Sequence, residues 1–147
     1  MIYTELTKKA LQTAFDAHKD QVDKTGLPYV FHPFHLAEQM ETEDEVCVAL
    51  LHDVVEDSDM TMDDLRALGF PNHVIDALDL LTHDDSIEYM DYIESIKSNP
   101  LSTKVKLADL RHNSDPTRVD VVDDRMAERW EKYREAINVL EKMKKEA

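Results

Sequence analysis

Val46-Cys47-Val48-Ala49-Leu50-Leu51-His52-Asp53-Val54-Val55 is the stretch that decides the fold, and Glu56-Asp57 closes it. Across the run from 44 to 57, apolar residues fall on nearly every side of a helix, the pattern of a central helix buried from several directions. His52 and Asp53 interrupt that pattern, and a carboxylate in such surroundings is costly unless a cation or several hydrogen bonds meet it. Glu56 and Asp57 follow one helical turn later, so a continuous helix would project all four polar side chains into one cleft. A metal ion accounts for such a group. For a His-Asp pair taken alone, a charged spot on a helix surface would be the better account.

Outward from this segment, the rest of the chain also reads as helix. Leu6, Ala10, Leu11, Ala14 and Phe15 form one stripe over 4–19. Asp23-Lys24-Thr25-Gly26-Leu27-Pro28 is a loop, and a short helix over 33–40 follows, with His32 at its entrance. Thr61-Met62-Asp63-Asp64 is a capping pattern, and Gly69 suits the end of the helix it opens. Further helices are expected over 72–81, 86–97 and 101–113. In the last, over 123–145, Met126, Trp130, Tyr133, Ile137, Leu140 and Met143 recur every three or four residues as a packing face. The expectation is an all-α bundle of about seven or eight helices forming a single domain over 1–147. Two glycines and five prolines agree with it, since hairpin-rich sheets need more turn formers.

Seventeen basic against 32 acidic residues give a net charge of -15, and no basic cluster relieves it. A nucleic-acid partner is therefore not expected. The same charge disfavours a phosphate ester, so a nucleotide substrate requires a metal and a few well-placed cations. Cys47 is the only cysteine, which excludes an intrachain disulfide and fits a cytoplasmic protein with a small buried thiol. There is no apolar signal core and no apolar run near the roughly 18 residues of a membrane span, so no membrane association is expected. Nothing in the pattern specifies an oligomeric state.

One dyad cannot complete a coordination sphere, and two further polar residues intrude on apolar segments: His32 in 28–33 and Asp109 in 105–110. Two imidazoles and two carboxylates make a mixed nitrogen and oxygen site that suits Mn2+ or Fe2+, with Zn2+ and Mg2+ as alternatives. A Cys-rich structural zinc site is excluded. His18, His35, His73, His83 and His112 read as capping, packing or solvent-facing residues. His112, three residues after Asp109, is also within reach of hydrogen-bonding a ligand.

The order His32, His52-Asp53, Asp109 resembles the signature of the HD superfamily. Three segments, 21–33, 50–58 and 106–113, resemble linked motifs of the RelA/SpoT-type alarmone hydrolase domain. The resemblance runs from about residue 10 to 113 and is looser over the final helix. It implies His32, His52, Asp53 and Asp109 as Mn2+ ligands and Glu56 and Asp57 as the catalytic acidic pair. It also implies substrate contacts at Lys24 and Asn113; Tyr133, on the last helix, is a further expected contact, to the sugar. The implied reaction is release of the 3′-pyrophosphate of guanosine tetra- or pentaphosphate (ppGpp), part of the stringent response. No synthetase activity is expected, because 147 residues leave no room for the second domain that large members carry. Asp23 stands where that family stacks an Arg on guanine, and Leu110-Arg111 reverses its usual order. Two alternatives follow: a nucleotidase-like HD enzyme with another nucleotide substrate, and a nucleotide-sensing module without turnover.

Overall fold

The computed structural model describes residues 1–146, with side chains described through 142, so Met143 of the expected packing face lies outside the described side chains. Nine α-helices and a 3₁₀ turn follow in order: α1 (Glu5–His18), α2 (Phe31–Glu38), α3 (Glu43–Leu51), α4 (Val54–Asp57), α5 (Met62–Ala67), α6 (Asn72–Leu81), α7 (Tyr89–Ile96), α8 (Pro100–Asn113), the 3₁₀ turn Pro116–Arg118, and α9 (Asp124–Glu146). An isolated bridge between Val22 and Pro28 pins the loop before α2.

Local chemistry sets the helix starts. Thr4 and Thr7 form a capping box for α1, Thr42 caps α3, Thr61 and Asp64 form the box of α5, and Asn99 caps α8 ahead of Pro100. Gly69, at φ 98°, leaves α5 through a left-handed conformation that residues with a Cβ rarely adopt. The core forms around α3, whose residues from Val46 to Leu51 are all buried and which packs against α1, α2, α6 and α8. This is the arrangement expected of a helix apolar on all sides.

Three expectations are corrected. The helix expected over 44–57 breaks at His52 and Asp53, where Asp53 adopts φ -108° and ψ 0°. Apolar periodicity continues across this break because Val54 is again buried, so the sequence pattern conceals it. It is the reason for nine helices where seven or eight were expected. The face of α9 also divides: Ala136 and Leu140 are buried, whereas Met126 and Trp130 line a cavity. Phe15, placed in the stripe of α1, is instead half exposed.

Candidate metal centre and adjoining cavity

His32 enters from the first turn of α2, His52 and Asp53 from the turn between α3 and α4, and Asp109 from the middle of α8. One potential ligand atom from each lies within 4.8 Å of the others. His32 Nε2 is 2.7 Å from Asp109 Oδ1, and His52 Nε2 is 2.9 Å from Asp53 Oδ2 and 3.4 Å from Asp109 Oδ1. His52 Nδ1 donates to the Ala49 carbonyl at 2.6 Å, a bond that fixes the tautomer and leaves the lone pair on Nε2. That Nε2 is buried and close to two carboxylates, yet makes a well-aligned hydrogen bond with neither. His32 Nε2 and Asp109 Oδ1 are hydrogen-bonded, while His52 Nε2 stays unpaired beside them.

This geometry passes the test for a divalent ion. Opposite ligands of an ion bound at about 2.1 Å stand roughly 4.2 Å apart, close to the observed spread. Burial opposes a charge on His52, but Asp53 and Asp109 outweigh it and raise its pKa, so the site demands positive charge. Burial would likewise raise Asp109, but Lys106 and the two imidazoles hold it well below the carboxylate range.

A surrounding layer orients these groups. The Tyr29 hydroxyl donates to Asp53 Oδ2, Lys106 Nζ to Asp109 Oδ2 at 3.0 Å, and Asn113 Nδ2 to Asp109 Oδ1 at 3.0 Å. His112 Nδ1 meets His32 Nδ1 at 2.6 Å with the rings only 7° from coplanar, so one of the two nitrogens carries the proton. Burial, with the nearby His32 and Arg118, lowers His112 to about 4 and keeps its ring neutral. His112 therefore holds His32 in place rather than merely packing or facing water.

Glu56 and Asp57 line different openings, although both sit close enough to Asp53 for its charge to act on them. Glu56 accepts the His83 N–H and borders a cavity of about 140 Å³ with His52, Asp53, Asp109, Lys106, Tyr89 and Tyr92. Asp57 lines a separate open groove with Asp16, Gln21 and Ser58. Asp57 N–H donates to the Asp53 carbonyl at 3.0 Å, so the four-residue register from Asp53 to Asp57 persists past the turn, and the two acidic residues diverge as neighbours on one helix do. Burial raises the Glu56 pKa, and Asp53 adds to the rise against the His83 N–H. Burial and Asp53 also raise Asp57.

A larger cavity, about 340 Å³, opens beside His32 and brings together Lys24, Asn113 and Tyr133. Asp23, Arg118, Arg129 and Trp130, none of them named as a contact from sequence, line it as well. Burial and the adjacent Arg129 lower the Lys24 pKa, with Asp123 as a weaker counter-charge, so this wall favours an anion. Tyr29 and Lys106 lay within the quoted motif segments and were missed as orienting groups. Arg118 and Arg129 lie beyond the last of those segments, where the sequence carries no comparable signal.

An all-helical bundle that gathers one histidine, a His-Asp dyad and a distant aspartate around a single point is a domain of the HD type. No protein-family model matches the chain. It is 34% identical over 99 residues to the guanosine-3′,5′-bis(diphosphate) 3′-pyrophosphohydrolase of Vibrio cholerae, covering 65% of this chain and 14% of that protein. It is 31% identical over 121 residues to the bifunctional (p)ppGpp synthase/hydrolase SpoT of Escherichia coli K12, covering 72% of this chain and 17% of that one. The chain thus spans less than a fifth of these relatives' length. A solved structure described as a metazoan ortholog of SpoT that hydrolyzes ppGpp shares the fold, with a TM-score of 0.77 at 24% identity over 95% of this chain and 87% of its own. The chain belongs with the RelA/SpoT hydrolase-like domains of HD type. No helix among the described residues is long and apolar enough to cross a membrane.

Proposed function

We propose that this chain is a metal-dependent phosphohydrolase that removes the 3′-pyrophosphate of ppGpp. One observation carries the reading: the four converging ligand atoms stand between a cavity holding Glu56 and a larger cavity whose wall is cationic. The names of the relatives support the same substrate class.

His32, His52, Asp53 and Asp109 would hold the ion, and their donor set favours Mn2+, with Fe2+, Zn2+ and Mg2+ as alternatives. Such an ion supplies Lewis-acid stabilisation of phosphoryl charge and lowers the pKa of water. Glu56 Oε1 is engaged by the His83 N–H, so Oε2 is the atom that takes the proton from the attacking water. Its raised pKa makes it a stronger base than an exposed glutamate. Asp57, whose carboxyl is raised by burial and by Asp53, is the second acidic group of the pair, and its backbone carbonyl accepts from Gln21 Nε2 at 2.7 Å. Lys24 and Arg129 meet phosphate oxygens, while Asn113 and Tyr133 bound the sugar side of the larger cavity.

Asp23 favours a second reading in which the same chemistry serves another nucleotide. The test is to offer purified protein ppGpp and plain nucleoside mono- and diphosphates with Mn2+, measuring pyrophosphate and orthophosphate separately. Pyrophosphate from ppGpp is expected. Orthophosphate from a plain nucleotide without pyrophosphate release overturns the alarmone reading in favour of a nucleotidase, and binding without turnover overturns it in favour of a sensor.

A further inference from the structure

Arg118 projects from the 3₁₀ turn into the larger cavity, held at two points. Its Nη1 donates to the His112 carbonyl at 2.9 Å and its Nη2 to Asp23 Oδ2 at 3.2 Å. The carboxylate that grips it is itself fixed. Asp23 Oδ1 accepts from Thr25 N at 2.8 Å, Thr25 Oγ1 at 2.6 Å and Leu27 N at 3.1 Å. The Asp23 side chain is only 10% exposed, and that of Arg118 21%.

Two kinds of cation therefore line one cavity. Lys24 and Arg129 both line it, and their charges repel one another in a way an anion would relieve. The charge on Arg118 is already balanced by Asp23, and both of its terminal nitrogens are engaged. A guanidinium in that state is a poor phosphate ligand, but its planar face remains suited to stacking on a flat ring. Trp130, Tyr133 and Met126 supply apolar surface to the same space. Because the side chain is held before any ligand arrives, less of its freedom is lost on binding.

We propose that Arg118, locked by Asp23 and the His112 carbonyl, is the specificity-determining residue of the cavity and stacks its guanidinium on the heteroaromatic base of the nucleotide. The proposal rests on the nucleotide-hydrolase reading for the class of ligand, but not on turnover. It assigns Asp23 the work of an anchor: the carboxylate meets the guanidinium rather than the base.

The test compares wild type, Arg118→Lys and Arg118→Ala by calorimetric titration with guanosine 5′-diphosphate and, separately, inorganic pyrophosphate, both with Mn2+. Melting curves check that each variant folds. Arg118→Lys keeps the charge and loses the plane, so it should weaken guanosine 5′-diphosphate about 10-fold, close to the Ala variant, and leave pyrophosphate affinity unchanged. Full retention of guanosine 5′-diphosphate affinity by the Lys variant, equal loss of both ligands, or no guanosine 5′-diphosphate binding by wild type each overturns the assignment. Release of pyrophosphate from ppGpp is followed in parallel. If wild type releases none while the base-dependent loss persists, the hydrolase reading fails and the role of Arg118 stands.

Discussion

Chelator-stripped protein titrated with Mn2+ should melt about 5–11 °C higher once the ion is near a hundred times its dissociation constant. The site brings two carboxylates and the Nε2 lone pair of His52 within 4.8 Å, with Lys106 at 3.0 Å from Asp109 as the neighbouring cation. Folding the empty site concentrates negative charge in a buried region, and a divalent ion removes that penalty while binding only the folded state. At a hundredfold excess over the dissociation constant, mass action alone adds about 2.7 kcal/mol. A domain of this size gains about 2–4 °C per kcal/mol, which gives the stated range. Differential scanning calorimetry reads the shift directly. Asp109→Asn, which withdraws one ligand charge, should lose most of it. The reasoning is refuted if none of Mn2+, Fe2+, Zn2+ or Mg2+ moves the transition, or if Asp109→Asn shifts as far as wild type.

The groups around the ion give two more expectations. Glu56→Gln should lower kcat by about 10²–10⁴ while Mn2+ occupancy and KM stay near wild type. A base must be deprotonated to act, so wild-type activity should fall as pH drops through a pKa above the usual glutamate value of about 4.3, and that limb should vanish in the variant; a metal analysis showing lost Mn2+ would instead make Glu56 a ligand. Tyr29→Phe deletes the hydroxyl that holds Asp53 Oδ2 and should weaken metal binding about 10–100-fold at unchanged fold, measured by competition with a chromophoric chelator; unaltered affinity would reduce Tyr29 to a packing residue.

The helical elements were legible because their signals are local. Asn72–Leu81 is the predicted span, and the capping box at Thr61 and Asp64 marks the start of α5 in sequence and structure alike. The four polar intrusions were legible as a group, since each breaks an apolar context that burial would punish. Direction was not legible. The interruption at Asp53, with φ -108° and ψ 0°, leaves the apolar pattern of the segment unchanged, so where the side chains around it point has no trace in the sequence. Arg118 was invisible for a different reason: its partner Asp23 is 95 residues away in sequence, and an ion pair across that distance leaves no periodic trace. Asp23 alone reads as a lost cation; with Arg118 beside it, it reads as the holder of one.

The two halves of the site draw on different parts of the chain. The metal cradle hangs from α3, the adjoining turn, α2 and α8, all embedded in the core, whereas the rim of the larger cavity comes from 22–29, 113–119 and the exposed side of α9. Of the rim residues, Tyr29 and Asn113 hydrogen-bond Asp53 and Asp109; a side chain exchanged elsewhere on that rim leaves those contacts in place. Preference for one bound group or another can thus drift at those other positions while the four converging side chains stay where they are, and exchange there is the natural way to re-aim such a domain.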